Sequence, residues 1–99
     1  GAFMFIVLLE YTRPLDEVDA QIPAHRAYLE TQYAAGHFLL SGRREPRTGG
    51  VIIATMASKL QLEQLLKEDP FAQAVVASYQ VIEFIPTMTA PELAAYQQA

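Results

Sequence analysis

The stretch "FMFIVLLEY" (Phe3 to Tyr11) is a continuous apolar run with aromatic and β-branched residues. A run of this length and composition predicts a buried strand. A second run, "VIIATMA" (Val51 to Ala57), has the same character and predicts another strand. Both runs are apolar at odd and even positions alike, so we expect the two faces of each strand to be covered.

The residues after the first strand change to a helical pattern at about Asp16. Gly36 suits the position just past the end of this helix, where a left-handed backbone is common. Pro23 fits best in a first turn, so a break near Gln21, after a short turn over Leu15 to Ala20, is the alternative to one continuous helix. The apolar stripe, with spacings of 4, 3, 4 and 4, consists of Val18, Ile22, His25, Leu29 and Tyr33.

The remaining segments complete a βαββαβ order, which is the ferredoxin-like α+β pattern with a four-stranded antiparallel sheet. Ser58 is a plausible N-cap for the second helix. We expect one domain over residues 1–99, with residues 1–2 an expression remnant and residues 87–99 a C-terminal tail. The predicted segments are "HFLLSGR" (37–43, strand), "KLQLEQLLKE" (59–68, helix), "FAQAVVAS" (71–78, short helix or turn), "YQVIEFIP" (79–86, strand) and a terminal helix over 91–97.

The apolar central strands raise the question of what covers the second face of the sheet. In this topology the first and third strands are central, and the two helices cover one face only. A second copy of the chain, with the two sheets stacked face to face as in a dimeric α+β barrel, is the simplest cover. The alternative is that these strands are simply more hydrophobic than their exposure requires.

Composition narrows the classes of function. The chain has 99 residues, a net charge of −4 and no cysteine, so we expect neither nucleic-acid binding nor an anionic membrane surface as partner. No run approaches the roughly 20 apolar residues of a membrane span, and Phe3 to Leu9 lacks the flanks of a signal peptide. Two distant histidines and no phosphate loop predict no metal and no cofactor. We expect a cytoplasmic protein.

His25 lies in the apolar stripe, where leucine or isoleucine would be usual. A buried imidazole needs a hydrogen-bond partner, or it costs roughly 1–3 kcal/mol. Two interpretations stay open: a core histidine bonded to a backbone carbonyl, and a functional base.

The segment "LLKEDPFAQAVV" (65–76) resembles one amphipathic helix interrupted at Asp69-Pro70. Asp69 is a favoured N-cap and Pro70 is tolerated at the next position, so capping alone explains the break. The second interpretation is that the break also fixes a carboxylate that meets His25 on the neighbouring helix. An aspartate bonded to one ring nitrogen would make the other a better base.

The hairpin "SGRREPRTGG" (41–50) is basic at its tip. We interpret Arg44 and Arg47 as solubilising residues. Arg43 follows Ser41-Gly42 at the end of a strand and is a candidate for holding an anionic or enol-like substrate, with Gly42 allowing close backbone approach.

The stretches "IPAHRAYLETQYAAGHFLLSG" and "LKEDPFAQAVVASYQVIEFIP" resemble the YCII-related domain family, over nearly the whole chain. The motif is a helix histidine (His25), Gly-x-x-x-x-Ser-Gly ending at Gly42, and Asp-Pro-Phe at 69–71. The family often has Gly-Pro where this chain has Gly42-Arg43. The resemblance implies a small bacterial dimeric protein of ferredoxin-like fold with His25 and Asp69 as the candidate catalytic pair. It also implies links to breakdown of aromatic compounds, including elimination from chlorinated hydroxylated rings, and a fold shared with lactone isomerases and cofactor-free oxygenases.

These observations lead to a specific hypothesis of function. We expect a cofactor-independent lyase or isomerase in which His25 moves a proton on a small cyclic or aromatic oxygenated substrate. Asp69 would orient His25, while Arg43 and the Ser41-Gly42 backbone stabilise negative charge. The alternative is a non-catalytic small-molecule-binding or dimerisation module. The pocket is expected between helices and sheet, lined by Phe5, Tyr28, Met56 and Phe71.

Overall fold

The computed structural model describes residues 3–98; the expected remnant at residues 1–2 lies outside them. The elements are β1 (Phe3–Tyr11), α1 (Leu15–Ala34), β2 (Phe38–Arg43), β3 (Gly49–Met56), α2 (Lys59–Leu66), α3 (Pro70–Gln73), β4 (Ala77–Phe84) and a 3-10 helix (Pro91–Tyr96). The order βαββαβ and the antiparallel sheet are as predicted, with the strands arranged β2-β3-β1-β4.

The two apolar runs are the central strands β1 and β3, as the sequence predicts. The odd residues Phe5, Val7 and Leu9 are buried against the helices. The even residues Ile6 and Leu8 point to the opposite face, because successive side chains of a strand alternate. We call this opposite face of the sheet the open face. Its apolar residues, paired across the strands, are Ile6, Leu8, Leu40, Val51, Ile53, Ile82 and Phe84.

Helix α1 is continuous through Pro23, so the predicted alternative of a break near Gln21 is wrong. Pro23 is exposed, and the carbonyl that loses its helical partner there can bond to solvent instead. The helix ends as predicted, with Gly36 at φ +79°. The predicted stripe is offset: Val18 is buried, but Tyr33 is exposed and the buried positions near it are Tyr28 and Gln32.

Strands β3 and β4 begin two residues earlier than the sequence predicts, and the terminal helix predicted over 91–97 is a 3-10 helix. Gly49 and Gly50 belong to β3 because they pair with Glu10 and Leu9 of β1. A Cβ at Gly49 would lie only 1.8 Å from the Leu9 carbonyl oxygen, so the missing side chain lets the strands approach. The pairing of β4 with β1 ends at Phe84, which lies opposite Met4.

Candidate active site

The Asp69-Pro70 break is a capped helix start. The Asp69 carboxylate accepts a hydrogen bond from the Phe71 backbone N–H (3.0 Å), and Pro70 is the first residue of α3. This is the predicted capping arrangement. Asp69 is completely buried, however. A cap needs only one oxygen and no burial, so capping does not account for the whole environment of this side chain.

The same carboxylate contacts His25. His25 Nδ1 lies 2.7 Å from Asp69 Oδ1, and the His25 side chain is 14% exposed. A carboxylate only accepts hydrogen bonds, so Nδ1 carries the hydrogen and donates it. The neutral ring is thereby held in the tautomer whose Nε2 has a free lone pair. The structure thus brings together the two side chains that the sequence analysis paired.

Two further contacts fix this pair. The Tyr79 hydroxyl of β4 donates to Asp69 Oδ2 at 2.6 Å, so all three partners of the carboxylate are donors. The Phe71 ring stacks on the His25 imidazole with 3.8 Å between centroids and 1° between planes. The imidazole is therefore restrained at its Nδ1 edge and across one face, while its remaining edge is free.

Tyr79 and Tyr28 surround the buried carboxylate with neutral phenols. Burial raises the pKa of the Tyr79 phenol far above its ordinary value, and the negative charge of Asp69 adds to the rise. The pKa of Tyr28 is raised by the same two causes in the same order, and its hydroxyl donates to the Leu65 carbonyl at 2.8 Å. Tyr79 therefore stays protonated and keeps donating to Asp69.

These raised pKa values predict a loss of stability in alkali. Above about pH 10, where an unfolded tyrosine ionises, the folded chain retains protons that the unfolded chain releases. The free energy of unfolding should therefore be unaffected below that pH and fall above it, by about 1.4 kcal/mol per pH unit for each of the two tyrosines. Tyr28→Phe should remove about half of the slope in urea titrations between pH 10 and 11. The same slope in both proteins would contradict the prediction.

A cleft of about 760 Å³ opens beside His25 on the helix side of the sheet. This volume is in the usual range for a small-molecule site, roughly 300–1,000 Å³. Helix α1, the ends of β2 and β3, the hairpin between them and Phe71 form its walls. The predicted substrate-binding residues Ser41, Gly42, Arg43 and Phe71 all line it together with His25.

The lining residues proposed from β2 differ in their surroundings. The Ser41 hydroxyl lies 2.6 Å from the Tyr33 hydroxyl, which holds it on the cleft wall. Arg43 is exposed and occupies the same face of β2 as Ser41, two residues away. No protein atom outside its chain neighbours lies within 4 Å of where a Cβ of Gly42 would stand, so the space beside this backbone is open.

Three predicted lining residues do not line the cleft. Phe5 and Tyr28 belong to the buried core, where Phe5 of β1 lies under the helices and Tyr28 faces inward from α1. Met56 lies at the opposite end of β3 and lines a separate depression with His37. The cleft lies nearer the other end of the sheet, where α1 passes the hairpin.

Two arginines of the cleft were not predicted from the sequence. Arg47, assigned there to solubility, bonds to Asp19 of α1 and stands 5.8 Å from the centroid of the Tyr11 ring. Arg26 follows His25 on α1 and also lines the cleft. Only its position seven residues after Asp19, two helical turns along α1, indicated that these two side chains share a helix face.

Fold and site together define an α+β protein of ferredoxin-like topology with a histidine–aspartate pair at a helix-side cleft. The chain belongs to the YCII-related domain family, which matches residues 4–85. No curated protein sequence matches it significantly. Within residues 3–98 no helix is both long and apolar enough to cross a membrane, and no three His, Asp or Glu side chains are grouped to hold a metal ion.

Two solved proteins illustrate the fold. The 5-chloro-2-hydroxyhydroquinone dehydrochlorinase TftG of Burkholderia phenoliruptrix AC1100, in complex with 2,5-dihydroxybenzoquinone, is 22% identical with a TM-score of 0.71, covering 82% of this chain and 92% of its own. SnoaB, a cofactor-independent oxygenase of Streptomyces nogalater, is 16% identical with a TM-score of 0.55, covering 91% and 97%. A mutant of SnoaB gives 14% and 0.51. At these identities the likeness shows the fold.

Proposed function

We propose that the chain is a cofactor-independent lyase or isomerase that transfers a proton on a small cyclic or aromatic oxygenated substrate. The observation that supports this most is the 2.7 Å contact between His25 Nδ1 and the buried Asp69 carboxylate, beside a cleft of suitable size. A core histidine satisfied by a backbone carbonyl would need no buried carboxylate. Two proteins of this fold are named as enzymes, TftG as a dehydrochlorinase and SnoaB as a cofactor-independent oxygenase.

The proposed reaction begins with removal of a carbon-bound proton next to a carbonyl. His25 Nε2 takes the proton, and the electron pair of the C–H bond moves onto the carbonyl oxygen as an enolate. Asp69 holds the ring and stabilises the imidazolium that forms. Arg43 and the backbone at Ser41-Gly42 stabilise the charge that develops on oxygen.

The second half of the reaction distinguishes the two classes. In an isomerase, the imidazolium returns its proton to a different atom of the enolate. In a lyase, the enolate electron pair expels a leaving group from the adjacent carbon, and the imidazolium later loses its proton to solvent. Both routes need one base and one anion-stabilising group, and neither changes the oxidation state of the protein.

Solvent-deuterium exchange tests this proposal without requiring the natural substrate. Cyclic diketones, hydroxyquinones and lactones are incubated with the protein in D2O, and loss of the carbon-bound proton signal is followed by ¹H NMR. The proposal expects exchange above the buffer rate for at least one compound class, because proton removal precedes any net conversion. Exchange no faster than buffer across all three classes would count against it.

We also propose that two copies of the chain stack through the open face. This face carries apolar residues on all four strands, and Leu40, Ile82 and Phe84 are 59%, 38% and 38% exposed in the single chain. Exposed apolar surface of this extent is typical of an interface. The C-terminal residues Ala95–Gln98 lie against Met4 and Thr55 at one end of the face and leave its centre uncovered.

Ile82→Lys is expected to convert the proposed dimer to a monomer, because it places a charge within an apolar interface. Sedimentation velocity at micromolar concentration should give twice the 11.0 kDa chain mass for the unmodified protein and a single chain mass for the variant. Leu60→Lys is the matched control, since Leu60 is 64% exposed on α2, away from the open face, and it should stay dimeric. An unmodified protein that sediments as a monomer would refute the dimer.

A further inference from the structure

The cleft beside His25 carries more positive charge than its acidic lining residues neutralise. Arg26, Arg43 and Arg47 line it, and Asp19 is the single acidic residue among its described lining residues. Asp19 pairs with Arg47. Within residues 3–98, the guanidinium groups of Arg26 and Arg43 have no hydrogen-bond or ion-pair partner. Two guanidinium groups of the cleft are therefore available to a ligand.

This positive charge is local. The chain as a whole has a net charge of −4, with five arginines and two lysines among its basic residues. Three of the five arginines line one cleft. Solubility alone would not gather them in a concave site, whereas a cleft lined by one sign of charge focuses the field and attracts ligands of the opposite sign.

The positions of the two unpaired arginines suit different tasks. Arg43 shares a face of β2 with Ser41, and the proposed reaction assigns it to the charge that develops on oxygen. Arg26 lies on α1 one residue after His25, rotated by about 100° around the helix axis. It shares the helix face of Asp19, which bonds to Arg47 of the hairpin, so it is turned toward the hairpin and away from Asp69.

We infer that Arg26 binds a carboxylate that the substrate carries permanently, so that the substrate class is a small cyclic carboxylate with a reacting oxygen elsewhere on the ring. The assignment rests on the proposed function for the location of the reacting group. The planar guanidinium matches the two oxygens of a carboxylate with two parallel hydrogen bonds. The cleft volume of about 760 Å³ accommodates a ring with such a substituent.

A pair of ligands that differ only in the carboxylate tests the inference. The dissociation constants of 2,5-dihydroxybenzoate and hydroquinone are measured by NMR titration or calorimetry. We expect the carboxylate to bind at least about tenfold more tightly, as one charge-assisted contact allows. Arg26→Gln should abolish the preference. Arg13→Gln removes the same charge from an exposed loop residue outside the cleft and should retain it.

Several outcomes would overturn the inference. These are equal affinities for the two ligands, no binding of either at millimolar concentration, and a preference that survives Arg26→Gln. If phenyl phosphate binds more than tenfold more tightly than benzoate, the group that Arg26 binds is a phosphate and not a carboxylate. Arg26→Lys keeps the positive charge but not the planar guanidinium, so it should show a reduced preference for the carboxylate ligand. It also serves as a folding control for Arg26→Gln.

The inference and the proposed function can fail separately. His25→Gln should leave the carboxylate preference unchanged, because Arg26 acts on a different part of the ligand. A preference that depends on Arg26, in a protein that catalyses no proton exchange, would support the binding site and refute the proton transfer. Exchange that depends on His25, with no preference for carboxylates, would do the reverse.

Discussion

Replacing His25 with glutamine is expected to slow solvent-deuterium exchange by about 10²–10⁴-fold, the usual contribution of a positioned general base. Glutamine can still donate a hydrogen bond to Asp69, so the buried carboxylate keeps its partner, but the amide has no basic nitrogen. The initial rate of exchange, followed by ¹H NMR on whichever compound the unmodified protein accepts, is the measurement. Urea titration of the same variant establishes that the chain remains folded.

His37→Gln is the matched control for this experiment. His37 is the second histidine of the chain, and its Nδ1 lies 2.8 Å from Gln32 Oε1, beside a depression separate from the cleft. Its replacement should leave the exchange rate unchanged. Equal exchange rates in the His25→Gln variant and the unmodified protein would leave His25 a structural residue and assign the proton transfer to another group.

The tautomer of His25 gives a second readout that does not depend on turnover. Nitrogen chemical shifts of the imidazole distinguish a hydrogen on Nδ1 from one on Nε2. The hydrogen bond to the Asp69 carboxylate requires the Nδ1–H form in the neutral ring. The proposed base mechanism requires the same form, because it leaves the lone pair on Nε2 beside the cleft.

The central part of the fold could be predicted because two physical signals are strong in the sequence. The runs 3–9 and 51–54 are apolar at odd and even positions alike, which predicts central strands. Asp69-Pro70 is a helix start with a known geometry. The first residues of β3 and β4 were harder to predict. Gly49, for example, joins β3 through a close approach to Leu9 that no local sequence pattern encodes.

Some residues of the candidate site could also be predicted from the sequence, and others could not. His25 stood out because a polar ring interrupts an apolar stripe, and Asp69 because proline fixes its backbone. Tyr79 and Arg26 gave no comparable signal. A tyrosine at a strand position is ordinary, and its contact with Asp69 exists only once β4 lies beside β1. Arg26 occupies an exposed helix face, where arginine is ordinary until the hairpin closes a cleft over it.

Asp69→Ala is expected to lower the free energy of unfolding by about 3–5 kcal/mol, the usual cost of removing one member of a buried polar pair. The substitution removes the acceptor of three donors at once: His25 Nδ1, the Phe71 backbone N–H and the Tyr79 hydroxyl. It also removes the N-cap of α3 and leaves a cavity in a position that is 0% exposed. Urea titration at neutral pH measures the change.

Asp69→Asn separates the loss of charge from the loss of shape. Its amide oxygen can accept from His25 and Phe71, and its amide nitrogen can donate to the Tyr79 hydroxyl, which is also an acceptor. We therefore expect a smaller cost, roughly 1–3 kcal/mol, even if the alanine variant does not fold.

Asp19→Ala, at an exposed ion pair, should change the free energy of unfolding by less than about 1 kcal/mol. A carboxylate held only as a helix cap would cost about 1 kcal/mol to remove, so a loss of that size in Asp69→Ala would show that the contacts to His25 and Tyr79 add nothing. The buried position would then have no energetic link to the imidazole that it is proposed to orient.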